Sequence, residues 1–188
     1  MQRFQRELSD FVHKLYEDER KVLVFGEGPT GARVMMIGEA PGEQEALQGR
    51  PFVGKAGKNL DAFLLAAGMR RDELYVTNTV KFRPTKISPS GRTVNRPPTQ
   101  EEVRLFLPWL LREIGLVSPR YVITLGNVPL KALMGRDAVV GEAHGRFIEW
   151  NGRVLYPLYH PASVIYNPAL KDIYSRDVAR FAGALQKD

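Results

Sequence analysis

Residues 34–60 read VMMIGEAPGEQEALQGRPFVGKAGKNL, and this stretch decides the predicted fold. An apolar run leads directly into a turn rich in glycine, proline and acidic residues, and a helix-like run begins at Asn59. Glycine and proline give the backbone unusual dihedral angles, and free amides at the start of a helix can hold an anion or a polar ring. In open α/β sheets, ligands bind at the carboxyl ends of strands, where this turn would lie. We therefore expect residues 38–60 to form the floor of an active site.

Strand and helix patterns alternate along the rest of the chain. Two strands are expected at residues 21–25 and 33–37, separated by a glycine- and proline-rich turn. Thr99 and Glu102 match a capping box, which predicts that a helix starts there and runs to about residue 114. Helical periodicity is also found at residues 3–18, 59–69, 128–134 and 172–185.

This alternation predicts a single-domain, three-layer α/β/α fold over residues 1–188, with a central, mostly parallel four-stranded sheet. Parallel strands end on the same edge of a sheet, and the predicted strands end near residues 38, 78, 126 and 159. We therefore expect Glu39, Asn78 and His160 to meet at that edge.

The composition excludes several classes of protein. Cysteine is absent, which excludes disulfides, thiol nucleophiles and thiolate metal ligands. The three histidines lie far apart in the sequence, so no metal site is expected. No apolar run approaches the roughly 20 residues that cross a bilayer, and residues 1–20 are charged and amphipathic, unlike a signal peptide. We expect a cytoplasmic protein without metal or membrane contacts.

The formal net charge of +6 suits a polyanionic partner, because Lys and Arg release condensed counterions when they bind phosphates. Charge alone favours a merely basic soluble protein over one that binds nucleic acid. The run GKAGKNL, residues 54–60, lacks the spacing of a phosphate-binding P-loop, which argues against a nucleoside triphosphatase.

Several residues of the predicted sheet edge could carry chemistry or could be structural. His160 follows a strand and precedes Pro161, which fixes the turn, and this position favours function over a structural role. The amide of Asn78 offers a donor and an acceptor that can read the edge of a base, or it could simply end a strand. Phe52 could pack in the core or stack on a flat ligand. Glu39 and Glu45 could solubilise the loop or bind substrate.

Two long motifs resemble the uracil-DNA glycosylase superfamily, and most closely its family 4. The first motif of that family, GE(A/G)PGxxE followed by GRPFVGxAG, matches GEAPGEQEALQGRPFVGKAG at residues 38–57. The second, HPAxxxxNP, matches HPASVIYNP at residues 160–168, and YVTNTVKFRP at residues 75–84 is similar to a further family segment. The similarity extends from about residue 20 to the end of the chain.

The resemblance implies roles for the residues that match these motifs. Glu39 would help to place or polarise the attacking water, and His160 would bond to the charge that develops on uracil O2. Asn78 would read the uracil edge, Phe52 would stack on the flipped base, and Glu45 would fill the space beside uracil C5.

The resemblance also implies contacts around the base and the duplex. The backbone of Ala40 and Gly42 would line the base pocket. The segment after His160, from Ser163 to Asn167, would enter the duplex. Its wedge residue would be Val164, Ile165 or Tyr166.

The chain departs from the family 4 pattern at three places. Members of that family usually hold a four-iron, four-sulfur cluster on four cysteines, but here Phe82 and approximately Phe106 occupy two of those positions. The other two fall near Phe11 and Lys14. We therefore expect no cofactor, with aromatic packing in place of the cluster. The family acid that follows the Glu45 position is alanine here, which leaves the range of substrate bases open.

The third departure is the segment 85–98, which is longer than the corresponding family loop. Its basic residues are candidate DNA contacts: Lys86, Arg92 and Arg96.

The resemblance thus implies a monomeric, monofunctional enzyme of base-excision repair. It would flip uracil out of single- or double-stranded DNA and hydrolyse its N-glycosidic bond, leaving an abasic site. A glycosylase for another deaminated base, such as hypoxanthine or xanthine, is the first alternative. A relative that binds uracil or DNA without turnover is the second.

Overall fold

A central five-stranded sheet forms the core of the protein, in the order β2-β1-β5-β7-β6. The structure is a computed structural model that describes residues 1–17 and 21–187. Its sheet strands are β1 (Val34–Gly38), β2 (Tyr75–Asn78), β5 (Tyr121–Leu125), β6 (Ile148–Trp150) and β7 (Arg153–Leu158), and β3 (Thr85–Ile87) and β4 (Thr93–Asn95) form a separate hairpin.

Helices cover the sheet and connect its strands. Their bounds are α1 (Gln2–Leu15), α2 (Glu43–Gln48), α3 (Lys55–Ala66), α4 (Gln100–Val117), α5 (Asn127–Met134), α6 (Val140–Ala143), α7 (Pro161–Tyr166) and α8 (Leu170–Leu185), with a short 3₁₀ turn at Arg71–Glu73. The predicted capping box at the start of α4 is confirmed, because Glu102 N–H donates to Thr99 Oγ1 and Thr99 N–H donates to Glu102 Oε2. The predicted mixed α/β class is confirmed as well.

Alternate residues of β1 enter opposite layers. Val34 and Met36 pack with α3, α7 and α8, whereas Met35 and Ile37 pack with α4 and α5. Since β1 is buried along its whole length, the near-continuous apolar run is what a parallel strand covered on both faces requires.

The sheet has five strands, and the predicted number of four was wrong. β6 pairs antiparallel with β7 across a turn in which Asn151 and Gly152 have φ of 48° and 71°. The β1–β2, β1–β5 and β5–β7 pairs are parallel, so the sheet is mostly parallel as predicted.

The strand predicted at residues 21–25 does not form. Among the described residues, Leu23 makes an isolated bridge with Phe82, and Glu27, just after the segment, makes another with Val76. Gly28, with φ of 135°, interrupts the extended backbone directly after the second bridge, so no continuous ladder builds beside β2. Within the described residues, β2 is therefore an edge strand.

A third apolar cluster joins α1 to the start of α4. Its buried members are Phe4, Leu8, Val12, Val80, Phe82 and Phe106. The rings of Phe82 and Phe106 meet edge to face at 5.6 Å between centroids. Tyr16 approaches Phe82, and Trp109 contacts Phe11. We call this set of side chains the N-terminal aromatic cluster.

Candidate active site

The carboxyl ends of the parallel strands surround one cleft, as the sequence predicted. β1 ends at Gly38, in register with Asn78 at the end of β2, and β7 ends two residues before His160. The cleft has a volume of about 490 Å³, within the usual range for small-molecule sites. Its lining includes the predicted base-binding residues and the predicted catalytic histidine: Ala40, Gly42, Glu45, Phe52, Asn78 and His160.

Asn78 presents its side-chain amide to the cleft from a tightly packed position. The residue is 3% exposed, and its Oδ1 lies 2.5 Å from where a Cβ on Gly38 would be. The ring of Phe52 would meet the same Cβ, so only glycine fits between these two side chains. No described residue hydrogen-bonds to the Asn78 amide, which leaves a donor and an acceptor for a ligand.

Phe52 is held in a strained backbone conformation. Its φ is 55°, in the left-handed region that side-chain-bearing residues seldom adopt. The guanidinium of Arg71 donates to the carbonyl oxygens of Phe52 (2.9 Å) and Pro51 (2.8 Å), and Asp61 accepts from Arg71 at 2.8 Å. A Cβ on Gly57 would lie 1.8 Å from the Phe52 carbonyl oxygen, so α3 can approach this loop only with glycine there. Strain of this kind concentrates at functional sites.

Glu45 fixes the other side of the same loop. Its carboxylate accepts three backbone N–H groups: from Gly42 at 3.1 Å, from Val53 at 3.0 Å and from Gly54 at 2.7 Å. Glu45 therefore ties the start of α2 to the start of α3 while it lines the cleft.

His160 faces Phe52 across the cleft, with 6.2 Å between ring centroids. Its Nδ1 accepts the backbone N–H of Ala162 at 3.1 Å, which caps α7. In the neutral ring the proton must then sit on Nε2, so Nε2–H is the available donor. A Cβ on Gly126, whose φ is 89°, would lie 3.2 Å from the His160 Cβ, so a glycine there lets β5 end close to this side chain.

Burial keeps His160 uncharged near neutral pH. Loss of solvent lowers the pKa of His160 to about 4, and the nearby Glu45 carboxylate opposes this shift only in part. A neutral imidazole that donates from Nε2 can stabilise a developing oxyanion without itself releasing a proton.

Glu39 follows β1 directly and lies beside the end of β2, where its carbonyl oxygen accepts the N–H of Val80 at 3.1 Å. It stands next to the lining residue Ala40 but is not itself among the residues that line the cleft. Burial raises the pKa of the Glu39 carboxyl above the usual 4.5. Among the residues that the structure describes, none hydrogen-bonds to this carboxyl.

The segment after His160 folds as α7 and supplies one rim of the cleft. Ile165 and Tyr166 line the cleft and are exposed, at 45% and 86%. Val164 points the other way, because it is 8% exposed and packs in the core with α3 and α8. Ser163 is half-buried, and its N–H donates to the His160 carbonyl oxygen. Of the residues from Ser163 to Tyr166, Ile165 and Tyr166 are thus the two that are exposed at the cleft.

The long segment 85–98 contains an antiparallel hairpin, β3–β4. Lys86 and Arg92 are exposed on it. Arg96 is engaged elsewhere, since it donates twice to the Glu102 carboxylate at 2.7 Å and so anchors the hairpin to the start of α4. This engagement leaves Lys86 and Arg92 as the freer cations of the hairpin.

Comparison with known proteins identifies the family. Residues 25–182 match the model of the uracil DNA glycosylase superfamily. The chain belongs to the uracil-DNA glycosylase superfamily. A type-4 uracil-DNA glycosylase from Pyrobaculum aerophilum is 43% identical over 174 residues, which cover 87% of this chain and 84% of that protein. The type-4 enzyme from Thermotoga maritima is 33% identical, with coverage of 90% and 86%.

A solved relative shares the fold at low sequence similarity. The crystal structure of wild-type SMUG2 from Pedobacter heparinus superposes with a TM-score of 0.59 and 16% identity, covering all of this chain and 86% of that chain. At this level of identity the likeness shows the fold alone.

The residues of this superfamily member do not fit an iron–sulfur cluster. The chain contains no cysteine, and three of the positions where family 4 has cysteines hold or adjoin Phe11, Phe82 and Phe106. These rings belong to or pack against the N-terminal aromatic cluster, and Phe82 and Phe106 are at most 1% exposed. Nowhere in residues 1–17 and 21–187 do three or more metal-binding side chains group together. No helix of these ranges is long and apolar enough to span a membrane.

The sequence interpretation did not name several residues of the site, and three of these bear on its geometry. Lys55 lines the cleft at the start of α3, and its place directly after Gly54 could have indicated this. Asn95 reaches the cleft from β4, with its Oδ1 fixed by Arg83 Nε at 2.6 Å. No pattern in the sequence predicts that contact. The same holds for the hydrogen bonds from Arg71 to the carbonyl oxygens of Phe52 and Pro51.

Proposed function

We propose that this protein is a monofunctional uracil-DNA glycosylase that hydrolyses the N-glycosidic bond of uracil flipped out of DNA. One observation carries the proposal. The free amide of Asn78 and the Nε2–H donor of neutral His160 open into one cleft, with Phe52 on its wall. These groups match the hydrogen-bonding edge, the O2 atom and the flat face of a pyrimidine.

Recognition of the base rests on Asn78 and Phe52. The Asn78 amide can donate to a carbonyl oxygen of uracil and accept from its ring N–H, a pairing that cytosine cannot offer. Stacking of the flipped base on Phe52 offsets part of the few kcal/mol that unstacking it from the DNA costs. Because both side chains are already fixed against Gly38, little ordering remains to be done upon binding.

Bond cleavage rests on His160. As the glycosidic bond breaks, negative charge gathers on the departing uracil, and a donor at O2 lowers the barrier. Removing one such preorganised donor typically costs about 10²–10³ in rate. The lowered pKa supports the neutral form, which can donate one strong hydrogen bond.

Water activation rests on Glu39 in this proposal. An oxocarbenium-like sugar needs only a weakly activated water, and a carboxylate beside the cleft can orient it. The raised pKa of Glu39 brings this carboxyl nearer to the range of a general base.

Glu45 and the backbone of Ala40 and Gly42 form the remaining wall. Glu45 cannot move freely, because three backbone amides hold its carboxylate. We propose that this fixed wall stands beside uracil C5 and excludes the thymine methyl group.

DNA binding involves the two rims of the cleft. Ile165 or Tyr166 on α7 would fill the space left by the flipped base, and Lys86, Arg92 and Lys55 would bind phosphates. The net charge of +6 supports this electrostatic part of the interaction.

We also propose that the enzyme works as a cluster-free monomer of one domain, residues 1–188, in the cytoplasm. The packing of α1 with Phe82 and Phe106 supports the role of the N-terminal aromatic cluster as a structural substitute for the iron–sulfur cluster.

The decisive experiment is cleavage of single- and double-stranded oligonucleotides that carry one uracil, with the wild-type protein and His160→Ala. We expect abasic sites from the wild type and a rate about 10²–10³ lower in the variant. Full activity of His160→Ala would remove His160 from its role.

A panel of bases separates the alternatives. Release of hypoxanthine or xanthine without uracil would replace uracil as the substrate. Binding of uracil-containing DNA without alkali-labile sites would indicate a non-catalytic relative.

A further inference from the structure

A fully buried ion pair lies beneath the cleft, and the proposed mechanism does not use it. Lys81 Nζ and Glu113 Oε2 are 2.5 Å apart, and the two side chains are 0% and 1% exposed. Burial lowers the pKa of Lys81, whereas the Glu113 carboxylate favours its charged form. Replacing such a pair by well-packed apolar residues is often neutral or stabilising, so stability alone explains it poorly.

The contacts of the pair converge on β2. Lys81 Nζ donates to Thr77 Oγ1 at 2.6 Å and to the carbonyl oxygen of Asn78 at 2.7 Å. Glu113 accepts from the Tyr75 hydroxyl at 2.9 Å and from Thr77 Oγ1. A residue of α4 and a residue after β2 thus hold the strand that carries the base-reading amide.

The position of β2 at the sheet edge explains why this support is needed. Val76 exchanges backbone hydrogen bonds with Glu27, at 2.8 and 2.9 Å, on the side away from β1. Backbone groups alternate along a strand, so the carbonyl of Asn78 faces that same side. Described residues provide no strand there beyond Glu27, and a buried carbonyl without a partner is costly. Lys81 Nζ supplies the hydrogen-bond donor that a neighbouring strand would otherwise provide to this carbonyl.

The opposite side of the strand end is tied to β1. Thr79 donates to the Gly38 carbonyl oxygen from both its N–H (2.8 Å) and its Oγ1 (2.9 Å). With Lys81 on one side and Gly38 on the other, the peptide unit of Asn78 has little freedom to shift.

We propose that Lys81 and Glu113 are positioning residues for Asn78, which set the location of its amide in the cleft. This inference rests on the proposed function, because it needs Asn78 to read the substrate base. Lys81 would affect the substrate indirectly, through the position of Asn78. Misplacing a substrate-binding group by about 1 Å can lower the rate as much as 10²-fold.

The test uses the double variant Lys81→Met/Glu113→Gln. It removes both charges at once, since either single change leaves a buried charge without its counterion. Met has a similar unbranched chain, and Gln keeps acceptors for Tyr75. We expect the single-turnover rate on uracil DNA to fall about 10-fold to 100-fold. Inhibition by free uracil should weaken in parallel.

A double-mutant cycle with Asn78→Ala separates positioning from general destabilisation. If the pair acts through Asn78, its replacement should not lower the rate further in the Asn78→Ala background. Leu110→Ala is the matched control, because Leu110 is fully buried on the same helix but packs in the apolar layer. Its effect on rate should be small and equal in both backgrounds, while its melting temperature falls.

The outcomes are distinguishable. A wild-type protein without uracil release overturns the proposed function and, with it, this inference. An active wild type overturns only the inference if the folded double variant matches Leu110→Ala in rate, or if its effect is additive with Asn78→Ala.

Discussion

The candidate active-site cleft and the N-terminal aromatic cluster both contain aromatic rings, but the rings have different surroundings. In the cleft, the ring of Phe52 borders open space and its backbone is strained, held by Arg71. In the cluster, the Phe82 ring packs against the rings of Tyr16 and Phe106. Lys21 adds a cation over the Phe82 ring at 5.0 Å. The strained backbone at Phe52 costs stability but fixes the position of its ring in the cleft. The packed side chains of the cluster stabilise the fold.

The two regions differ in how freely their side chains can be exchanged. Apolar packing needs only suitable volume and shape, so several ring combinations can fill the space that cysteines and a metal cluster occupy in family 4. The cleft instead needs particular donors at fixed positions. Removing side chains should therefore separate the two regions, with stability reduced in one and turnover reduced in the other.

The largest effect is expected from Phe106→Ala. Phe106 is fully buried between α1 and Phe82, so truncation should lower the free energy of unfolding by about 3–5 kcal/mol. The rate on uracil DNA, measured well below the melting temperature of the variant, should stay near that of the wild type. Leu111→Ala, on the same helix but 42% exposed, is the control and should change stability little. A folded Phe106→Ala protein without activity would show that the two regions are coupled.

A smaller effect, on turnover, is expected from Arg71→Ala. Without two guanidinium hydrogen bonds the Phe52 backbone can relax from its left-handed conformation, and the ring should lose its stacking position. We expect kcat/KM to fall about 10-fold, the equivalent of about 1.4 kcal/mol. Arg70→Ala is the matched control, because within residues 1–17 and 21–187 the ion pairs of Arg70 are with exposed acids of the same turn. Equal rates for the two variants would argue against a role of Arg71 in fixing the Phe52 ring.

The pH dependence tests the electrostatics of the cleft. With a pKa of about 4, His160 stays neutral through the ordinary histidine range, so kcat/KM should show no transition near pH 6.5. Activity should instead fall as the pH drops through the raised pKa of Glu39, and Glu39→Gln should abolish this limb.

His160 also links stability to pH. Between pH 6.5 and about 4 the unfolded chain binds a proton at His160 that the folded chain does not, so stability should fall as pH falls through this window. His160→Gln should lose this part of the dependence. Denaturant unfolding at several pH values would measure it, and an identical slope in both proteins would contradict the low pKa.

The smallest effect is expected on the hairpin. Lys86→Ala/Arg92→Ala should weaken DNA binding and reduce the slope of log K against log salt by about one for each phosphate that is no longer neutralised. The release of uracil at saturating DNA should be unchanged. Arg3→Ala/Arg6→Ala removes the same charge from α1 and should leave the slope as it is. An unaltered slope in the hairpin variant would exclude these residues as DNA contacts.

The contacts of residues 80–83 could not be predicted from the sequence. Val80 and Phe82 join the N-terminal aromatic cluster, Lys81 turns beneath Asn78, and Arg83 reaches Asn95 on the hairpin. The motif at this point indicates a family, but it does not indicate that neighbouring residues serve three different regions.

The class of the fold, and the sheet edge at which Asn78 and His160 line a cleft, follow from the sequence alone. Apolar periodicity and glycine-rich strand ends are local signals, and the carboxyl ends of parallel strands must meet at one edge. Glu39, Asn78 and His160 could therefore be assigned to that edge from the order of strands and helices alone.

The contacts that hold those residues in place form only in the folded protein. Lys81 meets Glu113 across 32 positions of sequence, and Arg71 reaches back 19 positions to Phe52. Val164 and Ile165 are adjacent, yet one packs in the core and the other lines the cleft. Such choices depend on the packing of distant elements, which leaves no periodic trace in the chain.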